Sequence, residues 1–306
     1  MNAETMIWLT WRQHRWAITT TSALALFAAY GLVSAELRHF QVTMTLAAFY
    51  GLVVQLGFGA VVGAFWGAPL LARELEERTY FVAWGQDVTP ARWLRGKLVV
   101  LGLLAAVLAA LVGVGDGLGG SEDRSWPMFE ANWLVQVGYA LLGLAIGVLA
   151  GLLTRHTLTA MAATLVCYTV VRTVLAVVAR DRYLPVHRSI ARWDQNPAVP
   201  NDALKIGDGF VGRDLEPVPV PDQCAGLVPN GCMRRTGSAI GTYTDYQPAD
   251  RIDVFRWIEF GVCAALAAAA LWLTFRLLRN GGGWRPSRSH RRDVSTAPVA
   301  PAPAQG

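Results

Sequence analysis

The feature that most constrains this chain is the length of its uncharged stretches. No Asp, Glu, Lys or Arg occurs in residues 16–35, 40–72, 98–115 or 131–154, and shorter runs cover 157–171 and 260–275. A bilayer span needs about 20 predominantly apolar residues, and several of these runs reach that length. Only 16% of the 306 residues are charged, against about 25% in a soluble globular chain. The charges gather in 73–97, 180–256 and 276–293. A single soluble domain is excluded. The sequence predicts an all-α membrane protein with six transmembrane helices at 16–35, within 44–71, and at 97–114, 131–153, 157–179 and 255–278. One large polar segment, 180–254, separates the fifth and sixth.

Orientation follows from Lys and Arg near the spans, which favour the cytoplasmic side. With the N-terminus inside, the inner segments hold Arg12, Arg15, the 73–97 cluster, Arg155 and the 276–292 cluster, and the two short outer loops hold only Arg38 and Arg124. Both termini are then cytoplasmic and 180–254 is an extracytoplasmic loop domain. The same rule explains the net charge of +5 without nucleic acid. Cys224 and Cys232 lie in the outer loop, where a disulfide fits an oxidising compartment. Cys167 and Cys263 fall within apolar runs and read as packing residues.

Residues 1–15 include MIWLTWRQHRW up to its last Arg. Trp8, Trp11, Arg12 and Arg15 share an arc of a helical wheel and suit an interfacial helix, because Trp and Arg both settle at headgroup level. An alternative takes the first apolar run as the core of a cleaved signal peptide, with Val33-Ser34-Ala35 at the cleavage site. Gly59, Gly63 and Gly67 in the second span form a small-xxx-small pattern of the kind that lets helices approach closely. The tail 279–306 is basic, then rich in Pro and Ala, and is expected to be disordered.

No phosphate loop of the form G-x-x-x-x-G-K-[ST] occurs, nor H-E-x-x-H or G-x-S-x-G. The five histidines are scattered. The sequence therefore predicts no enzyme activity, no cofactor and no metal in the chain itself. Ionisable residues inside spans are functional candidates. Arg172, about 22 Å along the fifth span at 1.5 Å per residue, and Glu259 near the outer end of the sixth form a possible intramembrane pair. They line a substrate path, or they snorkel to the outer interface or form a packing ion pair. The charged segment 72–97 is the longest inner loop between spans, with Glu74 and Arg78 spaced as a helical ion pair and Gly85 and Pro90 as punctuation.

Trp8-Leu9-Thr10-Trp11-Arg12-Gln13-His14-Arg15 resembles the opening of ABC-2 type permease subunits of ABC transporters from actinobacteria. Residues 68–98 resemble the same family between spans two and three, where an acidic stretch like Glu74-x-Glu76 precedes a Pro90-x-Arg92 turn and a Lys at position 97. Arg78 stands where many members carry Gly. The resemblance implies six spans per subunit, a second permease subunit in a homo- or heterodimer, and a cytoplasmic ATP-binding subunit supplying the ATPase activity. It implies that Arg73, Glu74, Glu76, Glu77, Arg78 and Thr79 form the coupling element. It also implies export of a small molecule, lipid or peptide across the plasma membrane. The alternative is a polytopic sensor or assembly factor whose outer loop binds a ligand.

Overall fold

The computed structural model describes residues 8, 11, 12, 15–27, 29, 53–77, 89–113, 126–193, 195, 198–221, 224, 229–237 and 239–280. Six helices form the bundle: α1 (residues 15–27), α2 (Val53–Glu76), α3 (Pro90–Val112), α4 (Trp133–Thr154), α5 (Thr157–Arg182) and, after the polar segment, α7 (Ile252–Arg279). Among the described residues, the last five of these are long and apolar enough to cross a membrane. The first expected span is helical at 15–27 and 29, and its remainder lies outside the described residues, as do 44–52 of the second.

Local chemistry fixes the helix ends. Thr89 accepts the Arg92 N–H at 3.4 Å and Pro90 sits in the first turn, the position where its missing N–H costs nothing. The helix that carries the expected third span begins ahead of it. Pro90 opens the helix seven residues before Lys97 instead of breaking a loop. Asn132 caps α4 by accepting the Leu134 N–H at 2.9 Å. At the other end Arg155 takes a left-handed conformation (φ 58°), which makes the tight turn into α5. Likewise, α2 runs unbroken to Glu76, so 72–76 continues the span helix instead of forming a separate one.

α4 is the central post. Its apolar stretch is 67% buried, against 22% for α5 and α7. It meets α2 along a seam in which Gly59, Gly63 and Gly67 face Gly143 and Gly147, and Gly151 faces Ala68. The helices run parallel, backbone against backbone. A Cβ on Gly63 would lie 2.5 Å from the Gly143 carbonyl oxygen, and one on Gly67 would lie 2.5 Å from that of Leu144. At the middle of this seam α2 makes one π turn, Gly63–Gly67, which carries Trp66. The fully buried indole donates to Thr21 Oγ1 at 3.2 Å and ties α1 to α2.

The polar segment folds around an antiparallel sheet of order β1-β4-β2-β3, from β1 (His187–Arg192), β2 (Leu204–Val211), β3 (Pro217–Val218) and β4 (Gly241–Gln247). The expectation of an all-helical chain is corrected here: the protein is mostly helical with a small sheet. A short helix, α6 (Pro229–Thr236), packs under it through Met233. Cys224 and Cys232 are bonded, and Cys224 is buried with Met233 and Ala239 against Trp193 and Phe210. Arg188 and Asp245 form a two-bond ion pair across the β1–β4 register at 2.7 and 2.8 Å, which holds the guanidinium pKa above its ordinary value. The sheet joins the bundle through Gln247, whose fully buried amide donates to the Leu184 carbonyl at 2.9 Å.

The glycine seam gives a prediction with opposite signs at two sites. Gly147→Val is expected to destabilise the protein by about 2 kcal/mol or more through overpacking. Gly261→Ala on α7, where a Cβ meets nothing within 4 Å, is expected to stabilise it by roughly 0.5–1 kcal/mol. Unfolding in mixed detergent micelles reads both, and equal effects would remove the seam's claimed role.

Candidate functional site

Two polar constellations stand at opposite ends of the bundle. At the sheet end, Glu259 on α7 is fully buried. A carboxylate cannot be left unmatched away from water, and the chain surrounds it with donors. Arg180 grips it with a fork, Nη2 to Oε1 at 2.8 Å and Nε to Oε2 at 3.1 Å. Tyr139 on α4 donates to Oε1, and Tyr183 donates to Oε2 at 3.4 Å. Burial, then the Glu259 charge, pushes the Tyr183 phenol pKa up.

Arg172 lies 3.6 Å from Glu259, but its closer partner is Glu130, with which it forms an ion pair. Glu130 sits on a 3-10 turn, Trp126–Ala131, and also takes Arg180 Nη2 at 3.1 Å. The Gln136 amide donates to the Glu130 backbone carbonyl at 2.7 Å. The two guanidinia stack on rings, Arg172 3.6 Å from the Tyr139 centroid and Arg180 4.3 Å from that of Phe129. Two carboxylates and two guanidinia thus make a neutral cluster joining α4, α5, α7 and the 3-10 turn.

The expected Arg172 and Glu259 are brought together, but as half of a four-charge cluster. Two members were not among the expected site residues: Glu130, just before the run 131–154, and Arg180, the first residue of the polar segment 180–254. Their sequence signal was placement: each borders the sheet-end terminus of an apolar run. A second π turn, Leu175–Ala179, adds a residue to α5 just before Arg180. Such turns re-aim the side chains that follow them and are frequent at functional sites.

At the opposite end, the last turn of α2 reaches both neighbours. Glu74 lies 3.7 Å from Lys97 Nζ, which is 1% exposed and sits 3.9 Å from the Trp93 ring centroid. Glu76 Oε2 accepts the Thr157 backbone N–H at 2.8 Å, and Oε1 lies 3.7 Å from His156 Nδ1. A carboxylate at that point satisfies an orphan N–H of α5 and faces the positive end of its dipole. Arg73 and Glu77 pair at 2.7 Å on the exposed face. Arg78 and Thr79, expected in the same element, lie outside the described residues.

At the start of the chain, Trp8, Trp11, Arg12 and Arg15 are helical and exposed, with Arg12 5.3 Å from the Trp8 centroid. Cys263 is buried and Cys167 is exposed on the bundle surface. Among the described residues no group of three or more His, Cys, Asp or Glu is placed to hold a metal ion.

The profile of a family described as ABC-2 membrane transporter related matches residues 3–180, more than half of the chain. Neither the search of curated proteins nor that of solved structures returns a significant match.

The buried cluster yields a test of coupling. Glu259→Gln leaves two guanidinia facing one carboxylate and is expected to cost about 3–5 kcal/mol in micelle unfolding. Adding Arg180→Gln is expected to recover part of that loss. Strict additivity of the two substitutions would mean that they do not act as one unit.

Proposed function

We propose that this chain, which belongs to the ABC-2 membrane transporter related family, is the membrane-spanning subunit of an ATP-driven exporter. Membership and the five apolar helices make it a multi-pass plasma-membrane protein and a transport component of permease type. The finer reading is ours. The chain has six spans, with 16–35 as the first and both termini in the cytoplasm. The sheet domain at 180–254 faces outward, and the Cys224–Cys232 bond supports that side. A second permease subunit completes the pathway, a separate ATP-binding subunit supplies the energy, and a small molecule, lipid or peptide is the cargo.

The observation that carries this reading is the junction at the inner end of α2. Residues 73–77 project from a rigid helix and are clamped to the start of α5 by Glu76 and to α3 by Glu74 and Lys97. A soluble partner pressing on 73–79 would therefore move three spans together. α5 carries Arg172 and Arg180 at its far end, about 22 and 34 Å from Thr157 at 1.5 Å per residue. A shift of α5 bears directly on the outer charge cluster, which then serves as the outer closure of the bundle. This assigns Arg172 and Glu259 to a latch in preference to a substrate lining.

The interfacial helix 1–15 lies on the inner leaflet, and the tail 279–306 is a basic cytoplasmic anchor. The chain is not itself an enzyme; the sequence has no nucleotide-phosphate loop. The folded, disulfide-bonded outer domain is the feature that favours the second reading, a sensor or assembly factor binding a ligand outside.

Two measurements separate these readings. Co-expression with a genomically adjacent ATP-binding protein is expected to give a stable complex whose ATP hydrolysis rises in the presence of this chain. Glu76→Ala is expected to lower that stimulation several-fold without loss of membrane insertion. A chain that captures no such subunit, or a Glu76→Ala variant with full stimulation, contradicts the permease mechanism. Topology is checked on intact cells. Impermeant maleimide is expected to label Cys224 and Cys232 only after an impermeant reductant, and labelling restricted to inverted vesicles would place the sheet domain inside.

A further inference from the structure

An open groove of about 560 Å3 runs between α1 and α3. Its walls are Trp11, Ile18, Ser22 and Leu26 on one side and Val100 and Leu104 on the other. That volume lies within the ~300–1,000 Å3 of typical ligand sites, yet the lining is almost wholly apolar. Thr19, which also lines it, turns its hydroxyl back to the Arg15 carbonyl at 2.8 Å, so its methyl is left for the groove. The groove arises because Thr19, Ser22 and Ala23 are small where α1 passes α3.

The two ends of the groove differ in chemistry. Arg15 stands one turn before Thr19, on the same stripe of α1, because side chains four residues apart share a helix face. Its guanidinium lies 5.6 Å from the exposed Trp16 ring, and that of Arg12 lies 5.3 Å from the exposed Trp8 ring. Among the described residues neither guanidinium has a carboxylate partner. Trp rings mark headgroup depth, and Arg beside them extends to phosphate. One end is therefore a cationic, aromatic mouth at the interface, and the other is a slot descending into the hydrocarbon.

We propose that this groove holds one acyl chain of an anionic phospholipid from the leaflet on the N-terminal side, with its phosphate on Arg12 and Arg15. The match is one of shape and charge together. An acyl chain fills a slot lined by Ile18, Leu26 and Leu104, and an anionic headgroup supplies a counter-charge that no described residue gives Arg12 or Arg15. A zwitterionic lipid brings an ammonium as well as a phosphate and gains less from two guanidinia. The bound lipid completes the packing of α1 on α3, where the protein's own side chains leave a gap. The inference does not depend on what the protein transports.

The test uses the full chain reconstituted in phosphatidylglycerol vesicles containing a trace of phosphatidylglycerol with a diazirine near the end of one acyl chain. After irradiation and digestion, label is expected on peptides holding Ser22–Leu26 and Val100–Leu104. It should exceed at least fivefold that on the outward face of α5 around Leu158 and Val166, both exposed. Ser22→Trp, which fills the slot, is expected to reduce it to the α5 level. Arg12→Gln/Arg15→Gln is expected to reduce it several-fold, as is a phosphatidylcholine probe. Equal labelling of the groove and the α5 face would overturn the proposal. So would labelling indifferent to headgroup and to the two arginines, because an unselective annular lipid would give that result.

Discussion

Everything in the bundle depends on how closely α2 and α4 approach. In lipid there is no hydrophobic drive to bring two apolar helices together, so association rests on packing and on polar contacts. The glycines at 59, 63, 67, 143, 147 and 151 remove the side chains that would hold the backbones apart. α4 is thereby fixed against α2, and α3, α5 and α7 pack around the pair. The π turn at Gly63–Gly67 lies in this same seam, so Trp66 is turned to α1 by the segment that meets α4.

That arrangement has two consequences at its ends. At one, a tightly held α2 extends to Glu76 and satisfies the exposed first turn of α5. At the other, α4 presents Tyr139 to Glu259, so the buried carboxylate is gripped by groups on α4 and α5. α5 is common to both ends. It is also largely exposed along its length, with Leu158 at 81% and Val166 at 63%. A helix secured at its tips and open along its shaft is suited to small axial or rotational shifts. The sheet domain is joined at the α5 and α7 ends through Gln247 and Arg251, which both donate to the Pro185 carbonyl, so it rides on the same two helices.

Much of this was legible in the residues. The uncharged runs located the spans because lipid tolerates few alternatives to a continuous apolar helix. The Gly59-x-x-x-Gly63-x-x-x-Gly67 pattern was visible, and its partner at 143, 147 and 151 follows the same spacing. Boundaries were less legible. Pro90 reads as a break in isolation, but after a capping Thr89 it begins a helix. Glu130 and Arg180 border apolar runs, and nothing local distinguishes a charge that turns into the bundle from one that faces water. The sheet was hidden because its strands are short and interrupted. β2 contains two glycines and a bulge between Lys205 and Gly207, and β1, HRSIAR, has one buried residue. Its register comes from pairing with β4, some 50 residues away in the chain.

The central claim is that the C-terminal end of α2 and the start of α5 move as one body. A Glu76→Cys/Thr157→Cys variant in a Cys167→Ala/Cys263→Ala background tests it directly, with ATP hydrolysis by the complex with the proposed ATP-binding subunit as the readout. Reduced, the pair lacks the carboxylate that caps α5 and should show weak stimulation of the ATPase. Joined by a short bis-methanethiosulfonate, which forms a disulfide at each cysteine with release of methanesulfinate, it should regain stimulation, because the covalent bond replaces the lost contact. Stimulation that stays low, or hydrolysis that stalls once the linker is in place, would mean that the two helices must part during the cycle and would contradict the account.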